Sequence, residues 1–163
     1  MNQQYPPFLD SRSLRDALGE FATGVTVVTA RAAGGHPVGV TINSFASVSL
    51  DPPLILWSLG LQSPSLAVFE ACSHYAVNVL AADQVELSLR FSQSQNDKFA
   101  GIDTIVGARG TPILAGCSAW FECRNELRHP GGDHIILVGH VENFARAEKS
   151  PLVFHGGQYR RLA

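Results

Sequence analysis

The chain has 163 residues, 45% of them hydrophobic and 16% charged, with a formal net charge of −2. That length suits one domain with a real core, and that composition excludes a disordered chain. A near-neutral balance with no Lys/Arg cluster excludes an electrostatic footprint for nucleic acid, and no apolar run reaches the length of a membrane span.

The first residues, MNQQYPPFLDSRS, carry neither a charged-then-apolar signal pattern nor an Arg-rich amphipathic one, so the reading is a soluble, cytoplasmic protein. Residues 1–12 read as a loose arm ahead of one domain over 13–163. Ser13-Leu14-Arg15-Asp16 reads as a capping box, with Leu14, Leu18 and Phe21 on one helical face to about Thr23 and Gly24 as the stop. Val25–Ala30 is strand-like, and the turn Ala33-Gly34-Gly35-His36 returns the chain into Val38–Asn43 as a hairpin.

From Val38 to Leu54 apolar strand residues alternate with Thr41, Asn43, Ser44, Ser47 and Ser49, and the run stops at Asp51-Pro52-Pro53. Polar groups in an apolar strand are costly to bury unless something bonds them, so these face either water or a ligand rich in donors and acceptors. Leu54–Leu59 reads as a buried strand. Ser63-Pro64-Ser65 then opens a helix, Ser63 as cap and Pro64 at the first helical position, with Leu66, Val68 and Phe69 toward the core.

Tyr75–Leu80 is another strand, and Asp83-Gln84-Val85-Glu86 is a second capping-box start leading through Leu87 and Leu89 to Phe91. Residues 92–110 are polar and Gly-containing and read as an exposed loop. Ala119–Leu127 and Ile135–Phe144 are long strands joined by His129-Pro130-Gly131-Gly132-Asp133, and Pro151–His155 and Gln158–Leu162 form a last hairpin around Gly156-Gly157. Many hairpin-connected strands with few helices point to an antiparallel barrel rather than a βαβ sheet.

Among chemistry-bearing patterns, several are missing. There is no G-x-S-x-G elbow, no GxGxxG after a strand, no GxxxxGK[ST] and no HExxH. Cys72, Cys117 and Cys123 form an odd set without CxxC spacing and read as buried free thiols rather than a disulfide framework or zinc site. His134 and His140 share a strand face at even spacing, but no third ligand stands nearby in sequence, so they read as partner-bonded histidines and no metal is expected.

What remains is a set of segments in a fixed order: Phe21–Thr29, Gly39–Leu54, Tyr75–Gln84, Asp97-Lys98-Phe99-Ala100-Gly101, Gly132-Asp133-His134, and Pro151-Leu152 followed by Gly157-Gln158-Tyr159. Together they resemble the short-chain flavin reductases, the reductase components of two-component flavin monooxygenases such as the 4-hydroxyphenylacetate 3-monooxygenase system. The resemblance covers roughly residues 14–162.

It implies a mainly β fold, an antiparallel Greek-key split β-barrel (the FMN-binding split barrel) with a few short helices. It also implies NAD(P)H-dependent reduction of FMN or FAD, a homodimer, and a separate oxygenase that receives the reduced flavin. Thr41, Ile42, Asn43, Ser44 and Ser47 would hold the flavin ring, with Ser58 and Leu59 bordering the same pocket. Ser63 and Ser65, at a helix start that offers free N–H groups, are the candidates for the phosphate. Phe91, Ser92, Lys98 and Phe99 would lie toward the phosphate or adenine end. His134 and Tyr159 would position the nicotinamide, whose ring must stack at about 3–3.5 Å for hydride transfer. Two other readings keep the fold: a flavin-binding module without turnover, and a subunit that docks an oxygenase and works only in the complex.

Overall fold

The structure, a computed structural model, describes residues 10–94 and 97–162. It is organised around β2 (Thr26–Arg31), where Thr26 through Ala30 are all buried. Side chains alternate across a strand, so the two faces of β2 feed different cores. Val28 and Ala30 join Trp57, Phe69, Tyr75, Val77 and Leu137 in one, while Val27 joins Leu80, Phe91, Leu114 and Leu152 in the other.

On either side of β2 lie β3 (Pro37–Ile42) and β6 (His74–Val79), both antiparallel to it. The ladder continues through β9 (Ala119–Gly131), β10 (His134–Arg146), β5 (Pro53–Gly60) and β4 (Ala46–Leu50), giving one antiparallel sheet in the order β3-β2-β6-β9-β10-β5-β4. The sheet rolls until the end of β3 meets β5. There the Ser44 hydroxyl donates to the Ser58 carbonyl at 3.1 Å and accepts the Ser58 N–H at 2.9 Å. The expected antiparallel split barrel is the observed one.

Two small sheets flank it. One joins β1 (Thr23–Gly24), β11 (Val153–His155) and β12 (Gln158–Arg160); the other joins β7 (Thr104–Val106) and β8 (Pro112–Leu114). The β11–β12 turn needs glycine, because Gly156 and Gly157 have φ of 57° and 74°, where any Cβ is strained. Inside the barrel wall, the fully buried Asn78 donates to the Val27 carbonyl at 2.9 Å and to the Thr29 hydroxyl at 3.0 Å, and accepts the Leu114 N–H at 2.9 Å. One carboxamide thereby locks β8 onto β2 and β6.

Several local expectations need correction. The first helix, α1, spans Ser11–Gly19 and starts three residues earlier than expected, because Asp10 and not Ser13 is the cap: its carboxylate accepts the Ser13 N–H at 2.9 Å. Ser11 and Arg12, expected in the arm, belong to this helix, and residues 1–9 lie outside the described residues. No residue of α1 is buried; the helix stops at Gly19 rather than near Thr23, so Leu18 on it is 66% exposed and Phe21, which follows it, is 78% exposed.

The second helix, α2 (Leu66–Ala71), begins after Ser65, while Ser63 caps the turn before it by accepting the Ser65 N–H at 3.3 Å. In α3 (Val85–Ser92) the cap position is Gln84, not Asp83, and the Gln84 side chain bonds Ala81 N–H and the Ala115 carbonyl instead, each at 2.9 Å. The 92–110 stretch is not wholly loop, since it contains β7. The turn after β7 is clasped by the buried Glu122 of β9, which accepts the Arg109 N–H at 2.9 Å and the Thr111 hydroxyl at 2.5 Å. Finally, β9 and β10 run to Gly131 and from His134, so Pro130 pairs within the ladder and only Gly132-Asp133 turns the chain.

Among the described residues no helix is long and apolar enough to cross a membrane, and no group of three or more His, Cys, Asp or Glu could hold a metal ion.

Candidate functional site

A groove runs along β3 from its start to the Asn43-Ser44 turn. Its inner part is a cavity of about 450 Å³ between residues 40–44, the β5 end with Ser58, Leu59 and Gly60, Ser63, and His134 at the start of β10. The groove continues into a larger cavity of about 770 Å³ beside Pro37, Val38 and Gly39, closed by Pro64, Ser65, Asp97, Lys98 and Phe99. A third, of about 220 Å³, shares only Thr41–Asn43 with the first and is walled by α3, Phe154 and Tyr159. The two larger volumes lie in the range of small-molecule and cofactor sites.

The hydroxyls of the β3 segment divide into two groups. Thr41 donates to the Ser88 carbonyl at 2.7 Å, tying β3 to α3, and Ser44 is spent on the Ser58 main chain. By contrast the Asn43 carboxamide and the Ser58 and Ser65 hydroxyls bond no described residue, and the Ser63 hydroxyl accepts one bond and keeps its proton to donate. Val40, Ile42 and the buried Leu59 supply apolar wall beside these free groups.

At the inner end, the Asp133 carboxylate takes His134 Nδ1 at 2.7 Å, while the Asp133 carbonyl accepts the Leu61 N–H at 2.9 Å and pins the hairpin tip to the β5–α2 turn. The hydrogen bond from His134, then its charge, lowers the Asp133 pKa.

The outer end carries one ammonium, Lys98. It donates to the Gly39 carbonyl at 3.2 Å and to the Phe91 carbonyl at 3.0 Å, so it is a clamp between β3 and α3 rather than a solvated charge, and its burial lowers its pKa. Phe99 stands edge-on to Phe91 with ring centroids 4.9 Å apart.

The structure therefore brings Thr41, Ile42, Asn43, Ser44, Ser58, Leu59, Ser63 and His134 to one cavity and Ser65, Lys98 and Phe99 to the next. Others lie elsewhere. Ser47 is exposed on β4 opposite Ile55, outside these cavities. Phe91 is fully buried in the second core beneath Phe99. Ser92 lines the third cavity and turns its hydroxyl back to the Leu89 carbonyl at 2.7 Å. Tyr159 also lines that third cavity, its hydroxyl 2.8 Å from Ser88 Oγ, and so does not share a wall with His134. Three contributors carry no assignment from sequence: Asp133, Gly60 and Ser88. Only Asp133 left a signal, as the carboxylate directly before the histidine.

The donor set fits a flavin. An isoalloxazine offers a flat apolar face and an edge of alternating carbonyl and nitrogen groups, which suits an apolar wall next to an uncommitted carboxamide and hydroxyls.

A barrel of this kind, with its groove along the outer strand, places the chain in the class of flavin-reducing oxidoreductases. It belongs to the flavin reductase like domain family, whose profile matches residues 18–163. It is 47% identical over 154 residues to FMN reductase (NADH) SmoA of Agrobacterium fabrum, covering 94% of this chain and 87% of that protein. The reductase component of the flavin-dependent trigonelline monooxygenase of Acinetobacter baylyi is 45% identical over 148 residues; the match covers 91% of this chain and 48% of that longer protein. Among solved structures, Streptomyces globisporus C-1027 NADH:FAD oxidoreductase SgcE6, in complex with NAD and FAD fragments, superposes with a TM-score of 0.90 at 37% identity, covering 97% of this chain and 98% of that one.

Proposed function

We propose that the chain is an NAD(P)H:flavin oxidoreductase that supplies reduced FMN or FAD to a separate monooxygenase component. The observation that carries this is the β3 groove, where uncommitted polar groups stand against an apolar wall in a cavity of about 450 Å³. A flavin held there would supply the acceptor for the two-electron hydride that the reduced nicotinamide gives up from C4.

The chain's own work is placement. Val40, Ile42 and Leu59 exclude water from one side of the ring, and Asn43 and Ser58 bond its edge. Ser63 and Ser65 receive the phosphate, and Lys98 adds positive charge on the outer side. His134 meets the nicotinamide at the groove's inner end. An open groove lets flavin exchange, as a diffusing carrier requires. The outward apolar residues of α1, with Leu50 of β4 at 95% exposure, support a homodimer that covers them.

The phosphate assignment is tested by flavin fluorescence titration of Ser63→Ala/Ser65→Ala. FMN binding should weaken by about a hundredfold, as loss of two hydrogen bonds to a charged group implies, with riboflavin affected far less. Equal losses for both would reject it.

A further inference from the structure

The β2–β3 ladder ends where Thr26 faces Ile42, and the β4–β5 ladder begins where Ala46 faces Leu56, so residues 43–45 belong to neither. The inner cavity opens along this stretch, with residues 40–44 in one wall and residues 58–60 in the other. Strands β3 and β5 are not neighbours in the sheet, so no ladder sets the distance between those walls. Among the described residues, the two bonds between Ser44 and Ser58 are the only hydrogen bonds across this seam.

A hydroxyl has one proton to give and two lone pairs to accept with. By donating to the Ser58 carbonyl and accepting the Ser58 N–H, the Ser44 side chain does what a whole residue does in a hydrogen-bonded antiparallel pair. Its proton is thereby used, and it has none left for a ligand. The two uncommitted groups of the cavity, the Asn43 carboxamide and the Ser58 hydroxyl, sit next to Ser44 and on its partner, so the bond pair sets the span between them. Phe45 stacks on Phe121 with ring centroids 5.7 Å apart and packs against the first core, which keeps this stretch attached to the barrel when the hydroxyl is removed.

We propose that Ser44 is a positioning residue for the flavin ring, acting through Ser58 and not by touching the ligand: its hydroxyl fixes the width of the seam, so that the Asn43 carboxamide and the Ser58 hydroxyl reach the edge of the isoalloxazine together. This rests on the placement of the ring in the inner cavity.

The test titrates wild type, Ser44→Thr, Ser44→Cys and Ser44→Ala with FMN and with lumiflavin, which has the ring and no phosphate, by flavin fluorescence, and records the absorbance spectrum of each saturated complex. Ser44→Ala should bind both ligands about tenfold more weakly, by the same factor, because the loss is at the ring. The spectrum of its lumiflavin complex should move toward that of free lumiflavin, a change that lowered stability alone would not produce. Ser44→Thr keeps the hydroxyl and should stay within about twofold of wild type, and Ser44→Cys, a weak donor and acceptor, should fall between Thr and Ala. Losses that follow side-chain size instead, with Thr the worst, overturn the proposal; so does Ser44→Ala with wild-type lumiflavin affinity and spectrum, or a loss confined to FMN. If Ser44→Ala does not fold, the order of Thr and Cys decides: Cys weaker than Thr supports the proposal, and the reverse overturns it. All of these leave the reductase reading intact, whereas a wild-type protein that binds neither FMN nor lumiflavin overturns both.

Discussion

Adding one methyl group at Gly39 tests how the groove is built. Gly39 lies on β3 in the wall of the outer cavity, and a Cβ there would come within 2.6 and 2.7 Å of Phe91 ring carbons and 3.4 Å of Phe99. Carbon atoms prefer separations of about 3.5–4.0 Å, so something must move by about 1 Å. Phe91 has no room to retreat, being fully buried among Val27, Leu80, Leu114 and Leu152. Overpacking of this kind costs about 1–3 kcal/mol, more than the roughly 0.5–1 kcal/mol gained by replacing a strand glycine.

The relief that remains is for β3 to lift from α3, which strains the Lys98 bond to the Gly39 carbonyl and shifts Phe99. Gly39→Ala should therefore lower stability by about 2 kcal/mol in urea denaturation and weaken flavin binding as well. Gly24→Ala is the control, since a Cβ there meets nothing within 4 Å. A Gly39→Ala protein as stable as wild type with unchanged flavin affinity would refute the packing argument.

Asn78→Leu should cost about 3 kcal/mol in the same assay, because it strands the buried Leu114 N–H and the Val27 carbonyl, each worth about 1–3 kcal/mol when unsatisfied; a loss well under 1 kcal/mol would contradict that role. At Glu142 burial acts to raise the carboxyl, but the hydrogen bond and charge of Arg109, with His74 at 3.3 Å, outweigh it and hold the pKa below 4.5. A lowered folded value contributes stability that is complete above the ordinary Glu range and lost as pH falls through it. The gap in thermal midpoint between wild type and Glu142→Gln should close below about pH 4, and a gap constant with pH would exclude the ion pair. Burial pushes the Cys117 and Cys123 thiols up to about 12, so iodoacetamide at neutral pH should reach the half-buried Cys72 first and leave the other two intact in the native protein; uniform modification would contradict their burial.

Most strands were legible because their signal is local: Val25–Ala30, Leu54–Leu59 and Tyr75–Leu80 announce themselves by apolar runs bounded by turns. Helix starts were less so, because competing caps lie within a few residues of one another. Asp10 won over Ser13 once the chain folded, and Gln84 took the position offered to Asp83. The short strand β7 was lost inside a polar stretch, since its partner strand and the clasping Glu122 are supplied by later residues.

The groove was legible from the excess of polar side chains in β3, but their division of labour was not. Whether a hydroxyl binds a ligand or staples the barrel depends on distant partners, Ser88 for Thr41 and Ser58 for Ser44. The same limit applies to Tyr159, whose bond to Ser88 sets it on the far side of Thr41–Asn43 from His134.

The central claim is hydride transfer to flavin within the β3 groove. Anaerobic stopped-flow absorbance tests it directly: the protein is loaded with FMN or FAD and mixed with NADH or NADPH, and the flavin band is followed. Bleaching much faster than in a protein-free control, for at least one pairing of flavin and donor, is the expected result. Flavin that binds yet bleaches no faster than the control with either donor would contradict the reductase assignment.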